Sequence, residues 1–162
     1  MRAIRNKIDI TNPKYYVNIN EAELSEILKS DDGLTPCPLL KERVQCLHEV
    51  GQKLIDNYEG NFANCIKAGN KSAVSLLDLV VKEFPCFRDE AVYMGQSVSI
   101  YKRAQILIGD IWACYRAEGL GYFGDINKIT MFADYRVPQV LVHFGTLKYS
   151  EELLKVLRAG KV

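Results

Sequence analysis

The chain has 162 residues, with 21 Lys and Arg against 20 Asp and Glu, a formal net charge of +1 and 48% apolar residues. That length suits one domain, and that composition fills its core without disulfide or metal staples. A charge this near zero excludes a strongly basic nucleic-acid coat protein and an acidic disordered tail. Residues 1–20 read as irregular or weakly extended, with Asn12-Pro13 as a turn signal. Asn20 caps a predicted helix over 21–29, with Glu21 and Glu23 in its first turn. Pro36 and Pro38 open the next helix. Its apolar positions Leu40, Val44, Leu47, Val50 and Leu54 recur at three- and four-residue spacing, and residues 57–60 end it. Short helices follow over 62–68 and 72–84, the second stopped by Pro85, with another helical turn expected over 89–94. The stretch 97–118 is apolar on several faces and predicts a central, largely buried helix. Gly119, Gly121 and Gly124 open a loop. The tail predicts a short helix near 126–132, one starting at Pro138, and one over 150–159 with Gly160 as its stop. The expected fold is all-α, a single helical domain over 1–162.

No stretch approaches the ~20 apolar residues of a membrane span, and residues 1–10 show no hydrophobic signal region. The five cysteines are widely spaced and odd in number, with no CxxC. They read as free thiols in a reducing cytoplasm, with the nucleus left open. Neither the cysteines nor His48 and His143 form a zinc pattern; His143 reads as a core histidine. The glycine-rich loop lacks GxGxxG order and a preceding strand, which excludes a dinucleotide or P-loop site.

Two clusters depart from the apolar pattern. In YKRAQ (101–105), Lys102 and Arg103 stand near the start of the buried helix, with Asp110 two turns on. Such groups are rarely buried unless paired. Either they solvate the helix end or pair with a carboxylate, or they line a cleft with a cation placed for a phosphate or carboxylate. In ADYR (133–136), Asp134 and Arg136 precede Pro138. Either they are a capping Asp and a surface Arg, or they set a carboxylate at a pocket mouth walled by Phe132 and Tyr135.

The words SIYKRAQIL (99–107), Asp110, Trp112, ITMFADYRVPQ (129–139) and GTLKYS (145–150) resemble the queuosine salvage protein family, the queuosine 5′-phosphate N-glycosylases, also called hydrolases. Weaker similarity runs through FPCFRD (84–89) and Glu42-Arg43. The resemblance implies an all-α fold related to helical DNA glycosylases and hydrolysis of the bond joining ribose to queuine, a 7-deazaguanine base. Family members are longer at both ends, so it also implies that this chain is the family's core part, shortened at both ends.

A 7-deazapurine lacks the ring nitrogen at position 7, so protonation there cannot help the base leave. More of the barrier must fall at the sugar, where oxocarbenium charge develops. A fixed carboxylate near the anomeric carbon stabilises that charge and orients or deprotonates water. Asp134 is the first choice and Asp110 the reserve; Asp134 reading the guanine-like edge of the base is the alternative role. Lys102 suits the 5′-phosphate, with Arg103 or Arg136 as helpers. Tyr101, Phe132 and Tyr135 suit stacking on the base. No redox or metal cofactor is required, and the expected partner is the small-molecule substrate, with no membrane and no stable nucleic-acid complex. Two other classes stand beside this one: a non-catalytic helical module that grips nucleic acid, which +1 disfavours, and an inactive or interaction-only fragment with uncovered apolar faces.

Overall fold

A computed structural model describes residues 2–160. The chain is mostly helical, as expected, with one small sheet among the described residues. It falls into two compact units, Met1–Thr130 and Met131–Val162.

In the first unit, residues 2–20 are not extended. They form two single-turn helices, α1 (Arg2–Arg5) and α2 (Pro13–Tyr16). The Asn12-Pro13 pair is a helix start: the Asn12 carboxamide oxygen accepts the Lys14 N–H at 3.0 Å, and Pro13 occupies the first position, where no N–H is needed. Helix α3 (Glu21–Leu28) opens on a capping box, with Asn20 and Glu23 each accepting the other's backbone N–H at 2.9 and 3.0 Å. Helix α4 (Leu40–Tyr58) is the longest. Its first half covers a small core of Tyr16, Ile19, Leu24 and Val44. His48 braces that core by donating from Nε2 to the Ile19 carbonyl at 2.7 Å.

The main core lies between the end of α4 and helices α5 (Phe62–Ala68), α6 (Ala73–Glu83) and α7 (Lys102–Cys114). Cys65, Leu76, Val80, Phe84, Ala104 and Ile108 are almost wholly enclosed there. Burial pushes the Cys65 thiol up to about 12. The Cys86 thiol is pushed to about 12 by burial and then by the Glu49 carboxylate. Both are therefore protonated at neutral pH, which fits packing groups rather than nucleophiles.

Three predicted elements differ. Residues 89–94 are not helical, and the helix predicted from 97 begins at Lys102. Between them lies a hairpin, β1 (Glu90–Tyr93) against β2 (Gln96–Ser99), with Glu90 opposite Ser99 and Tyr93 opposite Gln96. Its loop is Met94-Gly95, both at positive φ, which matches the twist of paired strands. The helix expected over 126–132 is only a 3₁₀ turn, Ile126–Lys128. It stops there because the Thr130 N–H is taken by a side chain from α7. Finally, α7 is buried along one side only: Ala104, Gln105, Ile108 and Ile111 face inward, while Asp110, Trp112 and Tyr115 are exposed.

The second unit holds α8 (Arg136–His143) and α9 (Glu151–Arg158). Helix α8 starts two residues before Pro138, which still falls in the first turn, where a missing N–H costs nothing. Ser150 caps α9 by accepting the Leu153 N–H at 3.2 Å. His143 is exposed, stacked edge-on against Phe144, so it is not a core histidine.

Candidate active site

The sequence-derived residues lie in two groups, one in each unit. Tyr101, Lys102 and Arg103 form the start of α7. Tyr101 has left-handed backbone geometry, with φ of 50°, and its side chain makes no cap. Asp89, at the foot of the hairpin, caps instead. Its carboxylate accepts the Arg103 N–H at 3.2 Å and the Arg103 guanidinium at 2.9 and 3.1 Å, while its carbonyl accepts the Ile100 N–H at 3.1 Å. The Tyr101 hydroxyl donates to Glu90 at 3.0 Å. The hairpin is thus fastened to the helix start by two carboxylates. Arg103 pairs with Asp89. Half-buried Lys102 occupies the first helical position, at the positive end of the helix dipole.

Asp110 lies two turns further on, about 80° around the helix from Lys102 at 3.6 residues per turn, and is exposed. Two cavities of about 420 and 220 Å³ lie in this unit. The smaller is walled by Tyr16, Phe62, Phe84, Phe87 and Leu107, and the larger runs past Asp9, Asn12 and Asn61. Tyr101, Lys102, Arg103 and Asp110 line neither.

In the second unit, half-buried Asp134 turns its carboxylate onto the Arg136 N–H at 2.7 Å, and its carbonyl accepts the Val137 N–H at 3.2 Å. This turn delivers the chain into α8 and fixes the carboxylate against the backbone. The Arg136 guanidinium lies 5.0 Å from the centre of the Tyr135 ring and donates to Gln139 at 3.2 Å. Phe132 and Tyr135 are exposed aromatics on the same short segment.

Three residues outside the predicted set organise the first unit. Gln105 is the one buried polar side chain among the described residues, at 6% exposure. Its amide donates to the Ile100 carbonyl at 3.2 Å, and its oxygen accepts the Thr130 N–H and hydroxyl at 2.8 and 3.0 Å. It therefore ties the start of α7 to the residue after which the ADYR segment departs. Asp89 anchors Arg103. Asp125 accepts the Ser72 hydroxyl at 2.7 Å and the Ala73 N–H at 2.6 Å, capping α6 from the glycine-rich loop. Those bonds, Ser72 first, hold its carboxyl below the ordinary range. A mid-helix Gln in an apolar stretch is a visible signal for Gln105. No local pattern links Asp125 to a helix start 52 residues earlier. Among the described residues, no three His, Cys, Asp or Glu side chains gather in a metal-holding group. No helix among them is long and apolar enough to cross a membrane.

The chain is 45% identical over 161 residues to a Mus musculus protein named queuosine 5′-phosphate N-glycosylase/hydrolase, which covers 99% of this chain and 47% of the relative. It is 47% identical, over the same shares, to the Bos taurus protein of that name. A bacterial protein of that name, from Sphaerobacter thermophilus, is 40% identical over 94% of this chain and 46% of its own length. The chain thus spans about half the length of the curated relatives it matches. The model of the family described as queuosine salvage protein matches residues 1–162 throughout, and the chain belongs to that family.

Proposed function

We propose that the chain is the core part of an N-glycosyl hydrolase that cleaves queuosine 5′-phosphate at the bond between ribose and queuine, freeing the base for reuse in tRNA modification. The observation that carries this reading is identity of 45–47% over 161 residues to relatives named for that reaction. In this reading Asp134 stabilises the positive charge that grows on the sugar as the base leaves. Its carboxylate is held by the Arg136 N–H, so it need not reorganise as the charge develops. Water attacks the anomeric carbon, its proton passes to a carboxylate, and the base departs with the bonding electron pair and takes up a proton at the nitrogen that held the sugar. Asp110 is the reserve for this role.

Lys102 binds the 5′-phosphate at the positive end of α7. Arg103, whose guanidinium pairs with Asp89, is a helper beside it. Arg136, stacked on Tyr135, is a helper from the second unit. Tyr101, Phe132 and Tyr135 supply flat faces for the base. The substrate is a small molecule, and neither a membrane nor a lasting nucleic-acid complex enters the reaction. Five free cysteines support a reducing compartment, the cytoplasm.

The test is incubation of the protein with queuosine 5′-phosphate and, separately, with the dephosphorylated nucleoside, followed by chromatography of the free base. Queuine is expected from the phosphate. Lys102→Ala is expected to raise KM for the phosphate by about 10-fold or more, the worth of a lost charged hydrogen bond, and to leave KM for the nucleoside unchanged. No free base above the blank ends the proposal.

A further inference from the structure

The segment FPCFRD (84–89) has no part in the proposed reaction, yet it is tied down along its length. Phe84 is 1% exposed, in the main core. The Cys86 N–H donates to the Glu49 carboxylate of α4 at 2.9 Å. The Arg88 guanidinium donates to the Val81 and Lys82 carbonyls at 2.8 and 2.7 Å, in the last turn of α6, where a helix leaves its acceptors open. Asp89 follows directly, so its carboxylate stands on a mount fixed to α4 and α6.

A helix that needs only a cap carries it in its own flanking residue, as α3, α5, α6 and α9 do. In α7 that residue is Tyr101, which makes no cap and is left-handed, a geometry that costs energy outside glycine and persists only where its surroundings impose it. The cap comes instead from Asp89, 14 residues earlier, through the Arg103 N–H and guanidinium. Ahead of Lys102, the Ile100 N–H is held by the Asp89 carbonyl and the Ile100 carbonyl by Gln105. The backbone is thus pinned two residues before Lys102 and one residue after it. We infer that Asp89 is the positioning residue of Lys102, placing the start of α7 so that the ammonium meets the 5′-phosphate. This rests on the reading of Lys102 as the phosphate cation and not on the step at the sugar.

The test reads binding first. Ribose 5-phosphate, the phosphate end of the substrate without its base, is titrated into isotope-labelled protein, and the backbone amide shifts at positions 102 and 103 give its Kd. Asp89→Ala and Lys102→Ala are each expected to weaken binding by about 5-fold or more, and the double variant by no more than about twofold beyond Lys102→Ala, because one acts through the other. Asp89→Asn keeps an acceptor in the same place and is expected to stay within about twofold of wild type. Asp89→Glu keeps the charge but lengthens its stem, and is expected to behave as Asp89→Ala; it also carries the comparison with Lys102→Ala if Asp89→Ala does not fold. In turnover, Asp89→Glu is expected to raise KM for queuosine 5′-phosphate, with kcat and the KM of the nucleoside held within about twofold. The inference is overturned by losses that add in the double variant, by Asp89→Asn weaker than Asp89→Glu, or by tighter binding in Asp89→Ala, which makes Asp89 a restraint on Arg103 alone. It is also overturned if ribose 5-phosphate moves neither amide in wild type, whether or not queuine is released. Binding in the expected pattern with no queuine release contradicts the proposed reaction and leaves this inference standing.

Discussion

Gln105 shows how one side chain converts a helix into a platform. A buried amide must find partners or forfeit its hydration, and Gln105 finds three: the Ile100 carbonyl, the Thr130 N–H and the Thr130 hydroxyl. Gln105→Leu keeps the volume but strands those groups. It is expected to lower unfolding stability by about 1–3 kcal/mol in denaturant titration. Asp125 works through charge instead. Because its folded carboxyl is held below the ordinary range, the stability it adds is present above the unfolded pKa of about 3.9 and is lost as pH falls through the lower folded value. Asp125→Ala is accordingly expected to melt earlier than wild type at pH 6. The gap should close as the pH is taken well below 3.9, where both proteins present no charge at that position. An undiminished gap in acid contradicts the assignment.

At the scale of elements, the loop after α7 is as constrained as the helix. A Cβ placed on Gly121 would sit 2.5 Å from the Tyr115 Cβ and 2.8 Å from the Ile111 carbonyl oxygen, so the loop can close on the helix only where that side chain is absent. Gly121→Ala is expected to cost about 1–3 kcal/mol of stability, whereas Gly60→Ala, which meets no neighbouring atom, loses only the ease of its positive φ. Sequence pattern recovered the helices wherever caps and apolar spacing agreed. The stretch 62–68, for instance, is α5 residue for residue, between Asn61 and Gly69. It failed where the two conflicted. Val98, Ile100 and Tyr101 add apolar positions just ahead of α7, but the Met94-Gly95 turn and the left-handed Tyr101 separate a hairpin from the helix. The signal was present, since Val92 and Val98 flank a two-residue loop ending in Gly. The charge clusters at 101–103 and 134–136 were legible as unusual chemistry. Of their supports, Gln105 shows as a polar residue in an apolar stretch, whereas Asp89 does not, because its partner Arg103 lies 14 residues away.

For the whole molecule, the first unit carries the buried core and the cation at the start of α7, while the second carries the carboxylate of Asp134 and the amphipathic helix α9. In the reaction proposed above, the positive sugar is stabilised by a fixed negative charge. That charge is the part of the chemistry a single substitution can remove without changing shape. The decisive measurement is the rate of queuine release from queuosine 5′-phosphate by wild type and by Asp134→Asn, with Asp110→Asn as the reserve. Loss of one positioned electrostatic group is worth about 3–4 kcal/mol, so kcat for Asp134→Asn should fall by about 10²–10³-fold with the thermal midpoint retained. An unchanged rate in that variant, or a loss confined to Asp110→Asn, contradicts the role given to Asp134.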